Sequence, residues 1–574
     1  MTNHELAETF RLIADLLDIK GEVIYVTLAY RKAADSLDTL GRDVNDVWRE
    51  GKLREIPGVG KAIADKIDEL LATGHLQFLD ELQAEVPPSL AELLRVPDLG
   101  PKKIAAFWRS AHITTLAGLE AAARAGQLHS LPGMGAKSEA KILAGIESLA
   151  RRSDRIPLGT AWPLAEGMLR YLHGVPGVQA AEVAGSLRRM RESIGDIDIL
   201  VAADEAAPIM AAFVSQPQVI RILGQGTSKS SVEFTNGLRA QLWVHPPARF
   251  GTALQYATGS KDHNVRLREL ALAQGLSLSD QAITPSGGDE QLYAREEEVY
   301  AALGLPWIPP ELREDRGEIQ AAQNGTLPDL LTVDQVRAEL HSHSTWSDGK
   351  VSIREMAAAA RARGLQILAI TDHSGGLGIT GGLGIEDITR QRAEIDAVQQ
   401  EFGDSLRLLQ GVEVEIRADG TLDYPDDVLA GFDLVIASLH TSLRQPRAQV
   451  TQRLLNAIRN PHVDIIGHPT GRLLPDREGA DLDMDAVFAA VAAAGAALEI
   501  NANPQRLDLN DVYVRRAVDM GLHLSIDTDA HHPDHLGFLG FGVATARRGW
   551  ATADRVINTW PAADLLAWLR QRGG

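Results

Sequence analysis

The stretch RAELHSHSTWSDG (337–349) opens a rhythm that the chain keeps to its end: a short apolar run, a histidine or carboxylate at its C-terminal side, then an amphipathic helix. Working outward from it, ILAITDH (367–373), LLQGVEVEI (408–416), LVIASLH (434–440), VDIIGHP (463–469), AALEINAN (496–503) and HLSIDTDAH (523–531) repeat the pattern. Stretches of helical period, such as IREMAAAARARG (353–364) and DAVFAAVAAAG (485–495), lie between them. Alternation of this kind predicts parallel strands joined by right-handed crossovers, here a distorted seven-stranded (β/α) barrel over 336–574.

Six of the seven strand candidates end on a potential ligand, on the side where barrel enzymes build their active sites. The set is His341 and His343 in HSH, Asp348 just after, His373 in TDH, Glu413 in GVE, His440 in SLH, His468 in GHP, and Asp529 and His531 in DAH. Neutral imidazole is the usual nitrogen ligand, and three carboxylates supply the negative charge needed to hold two or three divalent cations together. Cations so held supply Lewis-acid chemistry for in-line attack of water on a phosphate ester, with no protein nucleophile required. A lone strand-end histidine is ordinarily a hydrogen-bonded structural residue, and His462, His523, His532 and His535 are read that way. Manganese, zinc, iron and magnesium all suit such a donor set.

At 574 residues the chain exceeds the ~250–300 residues at which single cores stop growing, so at least three domains are expected. Cysteine is absent, which excludes disulfides, thiolate zinc sites and cysteine nucleophiles. No basic segment followed by an apolar run opens the chain, and no membrane-length apolar run follows, so a soluble, cytoplasmic protein with no membrane partner is expected. The net charge of -20 argues against a general polyanion binder, because nonspecific DNA affinity comes from Lys and Arg neutralising phosphates. Residues 1–150 repeat this, with 17 Lys+Arg against 22 Asp+Glu. Any nucleic acid must therefore be held by local donors.

The first 150 residues read as short amphipathic helices, and within them one unit recurs three times: IPGVGKAIADKI (56–67), VPDLGPKKIAAF (96–107) and LPGMGAKSEAKI (131–142). Glycine turns at Gly58, Gly60, Gly100, Gly133 and Gly135 bring backbone amides to a helix N-terminus, where the positive dipole end suits a phosphate oxygen. A plain helical hairpin with a glycine cap reads the same way, and Asp98 in the second copy, which would repel phosphate, makes that copy a structural candidate.

From 155 the texture changes to alternating strands and helices. In GSLRRMRESIGDIDIL (185–200), strand period puts Asp196 and Asp198 on one face, able to share metal ions with a nucleoside triphosphate. Gly185, Ser186, Arg189 and the Gly195 backbone are candidates to hold its phosphates. The proline-rich LPWIPPELRED (305–315) reads as the exit of this part and the start of a linker over 316–335.

Three resemblances follow from these motifs. HSHSTWSDG, AITDHS, GVEVEI, SLH, GHPTGRLL, EINANPQRLDL and DTDAH resemble the PHP (polymerase and histidinol phosphatase) domain, which implies that all nine residues above are metal ligands and that the barrel is a phosphoesterase. The 56–142 repeats are similar to helix-hairpin-helix motifs, which grip the DNA backbone. GSLRRMRESIGDIDIL and YATGS (256–260) resemble a family X DNA polymerase.

That last likeness implies an N-terminal helical domain over 1–90, helix-hairpin-helix fingers over 91–154, a nucleotidyltransferase palm over 155–245 and a thumb over 246–315. It also implies that Tyr256 and Gly259 face the nucleotide sugar, Asn264 the incoming base and Arg268 the template. The whole chain is thus similar to a bacterial family X polymerase with a PHP domain. Such a protein would be nucleoid-associated, act on gapped or nicked duplex and 3' ends, use deoxynucleoside triphosphates, and carry a manganese-favouring 3'-5' exonuclease.

Two departures limit the likeness. Gln241, in GLRAQLWVHPP, stands where the family has its third catalytic aspartate, so weak or absent polymerisation is expected. Lys66 aligns with the Schiff-base lysine of the lyase activity in some relatives, but a neighbouring lysine of that site is Ala62 here. A DNA-binding scaffold and a phosphatase of small phosphate esters remain as alternative readings of the chain.

Overall fold

The computed structural model describes residues 1, 3–38, 44–56, 58–96, 99–130, 134–135, 138–143, 145–146, 155–234, 238–376 and 381–572. The chain divides into two compact units, Met1–Asp154 and Arg155–Gly574.

The first unit is helical. Helices α1 (Asn3–Lys20) and α2 (Ile24–Asp38) lead, and Leu6, Phe10, Ile13 and Leu17 of α1 recur at three and four residues to form one buried stripe. Helices α3 (Lys61–Thr73) and α4 (Pro101–Ala111) each begin directly after an extended glycine, Gly60 and Gly100. Gly58 has φ +79°, a conformation that a side chain would strain.

The second unit holds palm, thumb and barrel. The palm sheet consists of β1 (Ala180–Val183), β2 (Ile197–Ala202), β3 (Val219–Gln225), β4 (Lys229–Phe234) and β5 (Arg239–His245), in the order β1-β2-β5-β4-β3. Only β2 and β5 pair in parallel, and this pairing sets Asp198 directly opposite Gln241. Helix Leu158–His173 covers one face with Leu158, Ala161, Ala165, Met168 and Leu172, again at three and four residue spacing. The thumb follows as α5 (Phe250–Thr258), α6 (Lys261–Ala273), a two-stranded ribbon and helix Glu296–Ala302.

The barrel strands are β6 (Ala338–Glu339), β7 (Ile367–Ile370), β8 (Arg407–Glu415), β9 (Leu434–Ser438), β10 (Ile465–Gly467), β11 (Ala497–Asn501) and β12 (His523–Asp527). All seven are parallel and lie side by side in chain order. A single bridge between Ser342 and Ala530 nearly closes the barrel. Helices cover the outside, so strands such as β9 are buried on both faces and read as continuous apolar runs.

Residues 316–335, expected as a linker, are packed instead. They include helix Glu318–Asn324, whose Ala321 and Ala322 join the thumb core and whose Glu318 meets His263 at 2.6 Å. The barrel reaches back into both neighbours: Leu507 lies in the palm core and Trp550 in the thumb core. The proline-rich signal at 305–315 marks a turn across this seam rather than a free connector.

Candidate functional site

The nine residues singled out on the barrel strands converge on its C-terminal rim. They form four overlapping groups whose donor atoms lie within 4.8 Å of one another: His343, Asp348, His373 and His531; His341, His343 and Asp529; His341, Glu413 and His468; and His373, Glu413 and His440.

Glu413 is the hub. Its Oε1 is 2.8 Å from His468 Nε2 and 3.2 Å from His440 Nε2; its Oε2 is 3.0 Å from His373 Nδ1 and 3.3 Å from His341 Nε2. Asp529 serves His343 at 3.2 Å, and Asp348 serves His531 at the same distance. Two members sit in left-handed backbone that non-glycine residues avoid, Asp529 at φ +53° and His468 at φ +26°. Such strain persists only where the surroundings over-determine it, and it concentrates at functional sites.

Metal fit can be judged from the donors. His341 Nε2, both ring nitrogens of His343 and Glu413 Oε2 are buried without a well-formed hydrogen bond. Leaving such groups unpaired costs about 1–3 kcal/mol each, which cation ligation would offset. Imidazole with carboxylate is also the donor chemistry of manganese, zinc and iron sites, so the residues fit the group.

The side chains of the rim also shift one another's titration. Burial, with the charges of His531 and His373, pushes His343 down to about 4. Burial and Arg506 push His468 down to about 3. Burial opposes the charging of His440 and His531, but Glu413 and Glu415 for the first, and Asp348 and Asp529 for the second, outweigh it and raise each to about 9. Ligation needs neutral imidazole, so cation uptake at neutral pH releases protons.

A supporting layer that the sequence reading missed orients these rings. Glu499 on β11 accepts from His341 Nδ1 at 2.6 Å, and Glu415 meets His440 Nδ1 at 2.7 Å. Both carboxylates were visible in EIN and GVEVEI. Strand period sets Glu415 on the face of Glu413, and β11 was the one candidate strand with no ligand assigned. Asp372 draws the loop after β6 inward, accepting from the Ser344 amide and hydroxyl and from Ser347. Of the four histidines read as structural, His523 lies edge-on to Trp560, while His535 Nδ1 accepts from the His531 amide at 3.4 Å.

The palm offers a smaller site. Asp196 and Asp198 lie at the start of β2, with Gln241 beside them on β5, and the Gln241 amide donates to Asp196. A neutral side chain thus stands beside the two aspartates. Burial, then the neighbouring Asp196, raises Asp198 to about 7. Gly185 has φ +60°, and a Cβ there would collide with the Asp198 carboxylate, so a glycine is required at this approach. Ser186 and Gly195 are half-buried beside them.

Arg189 is held by others: its Nε donates to Glu314 at 3.0 Å and its Nη1 to the Thr258 carbonyl. Gly259 abuts that guanidinium. Asn264 is fixed by Gln255 at 2.9 Å and donates to the Tyr256 carbonyl, Tyr256 is exposed, and Arg268 Nε donates to the Asn264 carbonyl one turn on. In the helical unit, Lys66 Nζ sits 4.5 Å over the Phe78 ring. Gly135 precedes the helical residues 138–143 of the third repeat, whereas Gly133 and Asp98 lie outside the described residues.

Among the described residues no helix is long and apolar enough to cross a membrane. The helix-hairpin-helix domain family matches residues 1–76, the SAM-like helix-hairpin-helix tandem 90–148, the DNA polymerase beta thumb 253–314 and the PHP domain 339–503. A probable phosphatase of Thermoanaerobacter sp. (strain X514) is 31% identical over 38% of the chain and 89% of its own length. DNA polymerase lambda of Rattus norvegicus is 26% identical over 54% of the chain and 56% of its own length. The DNA polymerase/3'-5' exonuclease PolX of Bacillus subtilis (strain 168) is 37% identical over the full length of both chains. The resemblances drawn from the motifs and the multidomain architecture therefore stand, and the chain belongs to the family of that PolX, the family X DNA polymerases with a C-terminal PHP domain.

Proposed function

We propose that this chain is a DNA repair enzyme whose barrel trims 3' ends with manganese ions held by His341, His343, Asp348, His373, Glu413, His440, His468, Asp529 and His531. The observation that carries the reading is the four overlapping donor groups with buried unpartnered atoms at their centre. When bound, the cations supply the Lewis-acid chemistry for attack of water on the terminal phosphodiester. The chain's own residues do the rest. Glu499 and Glu415 fix the His341 and His440 rings with the ligating nitrogen outward, as outer partners of metal histidines do. Glu413 and Asp529, both held well below the usual carboxylate range once histidine charges outweigh burial, stay ionised as anionic anchors.

In the palm, Asp196 and Asp198 bind a deoxynucleoside triphosphate with divalent cations, and Gly185, Ser186, Arg189, Gly195, Tyr256, Gly259, Asn264 and Arg268 cradle it. Gln241 cannot share a cation or take the primer proton as a carboxylate would, so polymerisation is slow. Gapped or nicked duplex is gripped through the glycines of the three repeats, Gly58, Gly60, Gly100, Gly133 and Gly135. Lys66 is a surface lysine seated on Phe78 rather than a lyase nucleophile.

The test is a gapped duplex with a 5'-labelled primer, incubated in manganese with and without deoxynucleotides. Shortening that disappears in His343→Ala supports the nuclease, and extension at the rate of an unsubstituted palm refutes the slow polymerase. The match of the barrel to probable phosphatases supports a second reading, action on small phosphate esters. Turnover of a phosphomonoester without shortening of DNA would select it.

A further inference from the structure

The seam between barrel and palm carries a chain of ion pairs that runs into the candidate nucleotide site. Arg548 ends the barrel helix Leu539–Arg548, and its side chain is 3% exposed. Its Nη1 donates to the backbone carbonyl of Arg189 at 2.7 Å and to Glu314 Oε1 at 3.0 Å, while its Nη2 donates to Asp511 at 2.6 Å. The same Glu314 oxygen accepts from Arg189 Nε at 3.0 Å, and the other lies 3.4 Å from Arg191. Asp511 also pairs with Arg316 at 2.9 Å.

Four guanidinium groups (Arg189, Arg191, Arg316 and Arg548) thus share two carboxylates (Glu314 and Asp511), a formal surplus of +2 inside a chain of net charge -20. Arg189 also joins the two halves of the nucleotide site. It follows the Gly185–Ser186 turn, and a Cβ on Gly259 would come within 3.0 Å of its Nη1. Whatever sets Arg189 therefore sets the spacing between the phosphate and sugar subsites.

We propose that Arg548 is a positioning residue for the palm: it fixes the main chain of Arg189 and shares Glu314 with the Arg189 guanidinium, so that triphosphate affinity in the palm depends on a residue of the barrel. The inference rests on the reading that Arg189 serves the triphosphate. Removing Arg548 takes one positive charge from the cluster and leaves the buried Glu314 to be neutralised by Arg189 and Arg191 alone. In a partly dry site that draws Arg189 toward Glu314 and away from an incoming anion.

The experiment is equilibrium binding of a deoxynucleoside triphosphate, with calcium as the cation, to the full-length chain, Arg548→Met, Arg189→Met and the double variant. Each single variant is expected to bind roughly 5- to 150-fold more weakly, the usual size of coupling between sites. The double variant should bind no more weakly than Arg189→Met, because Arg548 acts through Arg189. A general loss of structure would instead add the two effects. Additive losses, or unchanged affinity in Arg548→Met beside a loss in Arg189→Met, overturn the positioning role and leave the nucleotide site intact. Unchanged affinity in Arg189→Met overturns the reading of the site and the proposal with it. If Arg548→Met unfolds, Asp511→Asn keeps the arginine but frees its anchor; a smaller loss in the same direction supports the proposal, and none overturns it.

Discussion

The rim of the barrel and the mouth of the palm sheet are both places where carboxylates converge at strand ends, yet they are built to different tolerances. At the rim, three carboxylates and six imidazoles overlap in four groups, with Glu413 touching five rings and Glu499 and Glu415 bracing two of them from behind. In the palm, two aspartates share their site with an amide, and Arg189 is engaged by Glu314. A cation site with redundant anchors constrains every member, whereas one with two anchors leaves its third position open to drift. The rim therefore offers the denser donor set of the two.

The largest effect that would break the comparison is at the hub. Glu413→Ala removes a shared neighbour of five histidines and is expected to lower nuclease activity on the order of 10³-fold, about 4 kcal/mol of barrier. DNA and nucleotide binding should be unchanged. Single-turnover trimming with equilibrium DNA binding on the same preparation checks it; parallel loss of binding would mean that the two sites are not separable.

Next is the way the thumb is held to the palm, by charge rather than by ligands. Glu296 is buried, accepts from Arg313 and from both terminal nitrogens of Arg188, and also from Trp307. Burial alone would raise its carboxyl, but Arg313 and Arg188 outweigh that and hold it at about 2. A depressed acid stabilises the fold above its unfolded value near ~4.5, and the contribution is lost as pH falls toward the folded value, here about 3 kcal/mol in all. Between pH 5 and pH 2 the wild type should lose about that much more denaturation free energy than Glu296→Gln. Parallel pH profiles would show that the pairs carry no net stability.

Adding a third carboxylate to the palm sharpens the contrast from the other side. Gln241→Asp lies directly across from Asp198 and should raise magnesium-supported primer extension on the order of 10²-fold. Extension that does not change would mean that Gln241 is tolerated, or that the limit lies in Arg189 and its partners.

How far each region was legible follows from the physics. The barrel could be read because its strands are buried on both faces and end on candidate ligands, so pattern and chemistry coincide within a few residues, as in LVIASLH. Asp196 and Asp198 stood together through their spacing of two, and strand pairing sets Gln241 across from Asp198. Contacts between distant parts of the chain were not. LPWIPPELRED looked like the start of a linker because prolines punctuate, yet Leu312 and Arg313 are buried in the thumb and Glu314 meets Arg548 across 234 residues. A salt bridge of that span leaves no periodic trace. Glu499 was overlooked because it sits inside its strand, where a carboxylate reads as misplaced polarity until a partner such as His341 is seen.

That oversight yields the finest test. Glu499 sits behind the metal groups, accepting from His341 Nδ1 and from the His468 amide, so it fixes two candidate ligands at once without facing a cation itself. Burial raises its carboxyl, and the His341 charge and hydrogen bond pull it back down. Glu499→Gln keeps shape and volume but removes the charge that assists the His341 hydrogen bond. Because outer partners of metal histidines are typically worth 10–100-fold in metal affinity, the manganese concentration for half-maximal trimming should rise by that range while the rate at saturating manganese stays near wild type. Glu415→Gln, bracing only His440, should sit at the lower end. If both variants instead lost rate at saturation, the braces would be setting the ligand geometry needed in the transition state, and the redundancy that separates the rim from the palm would be smaller than the donor count suggests.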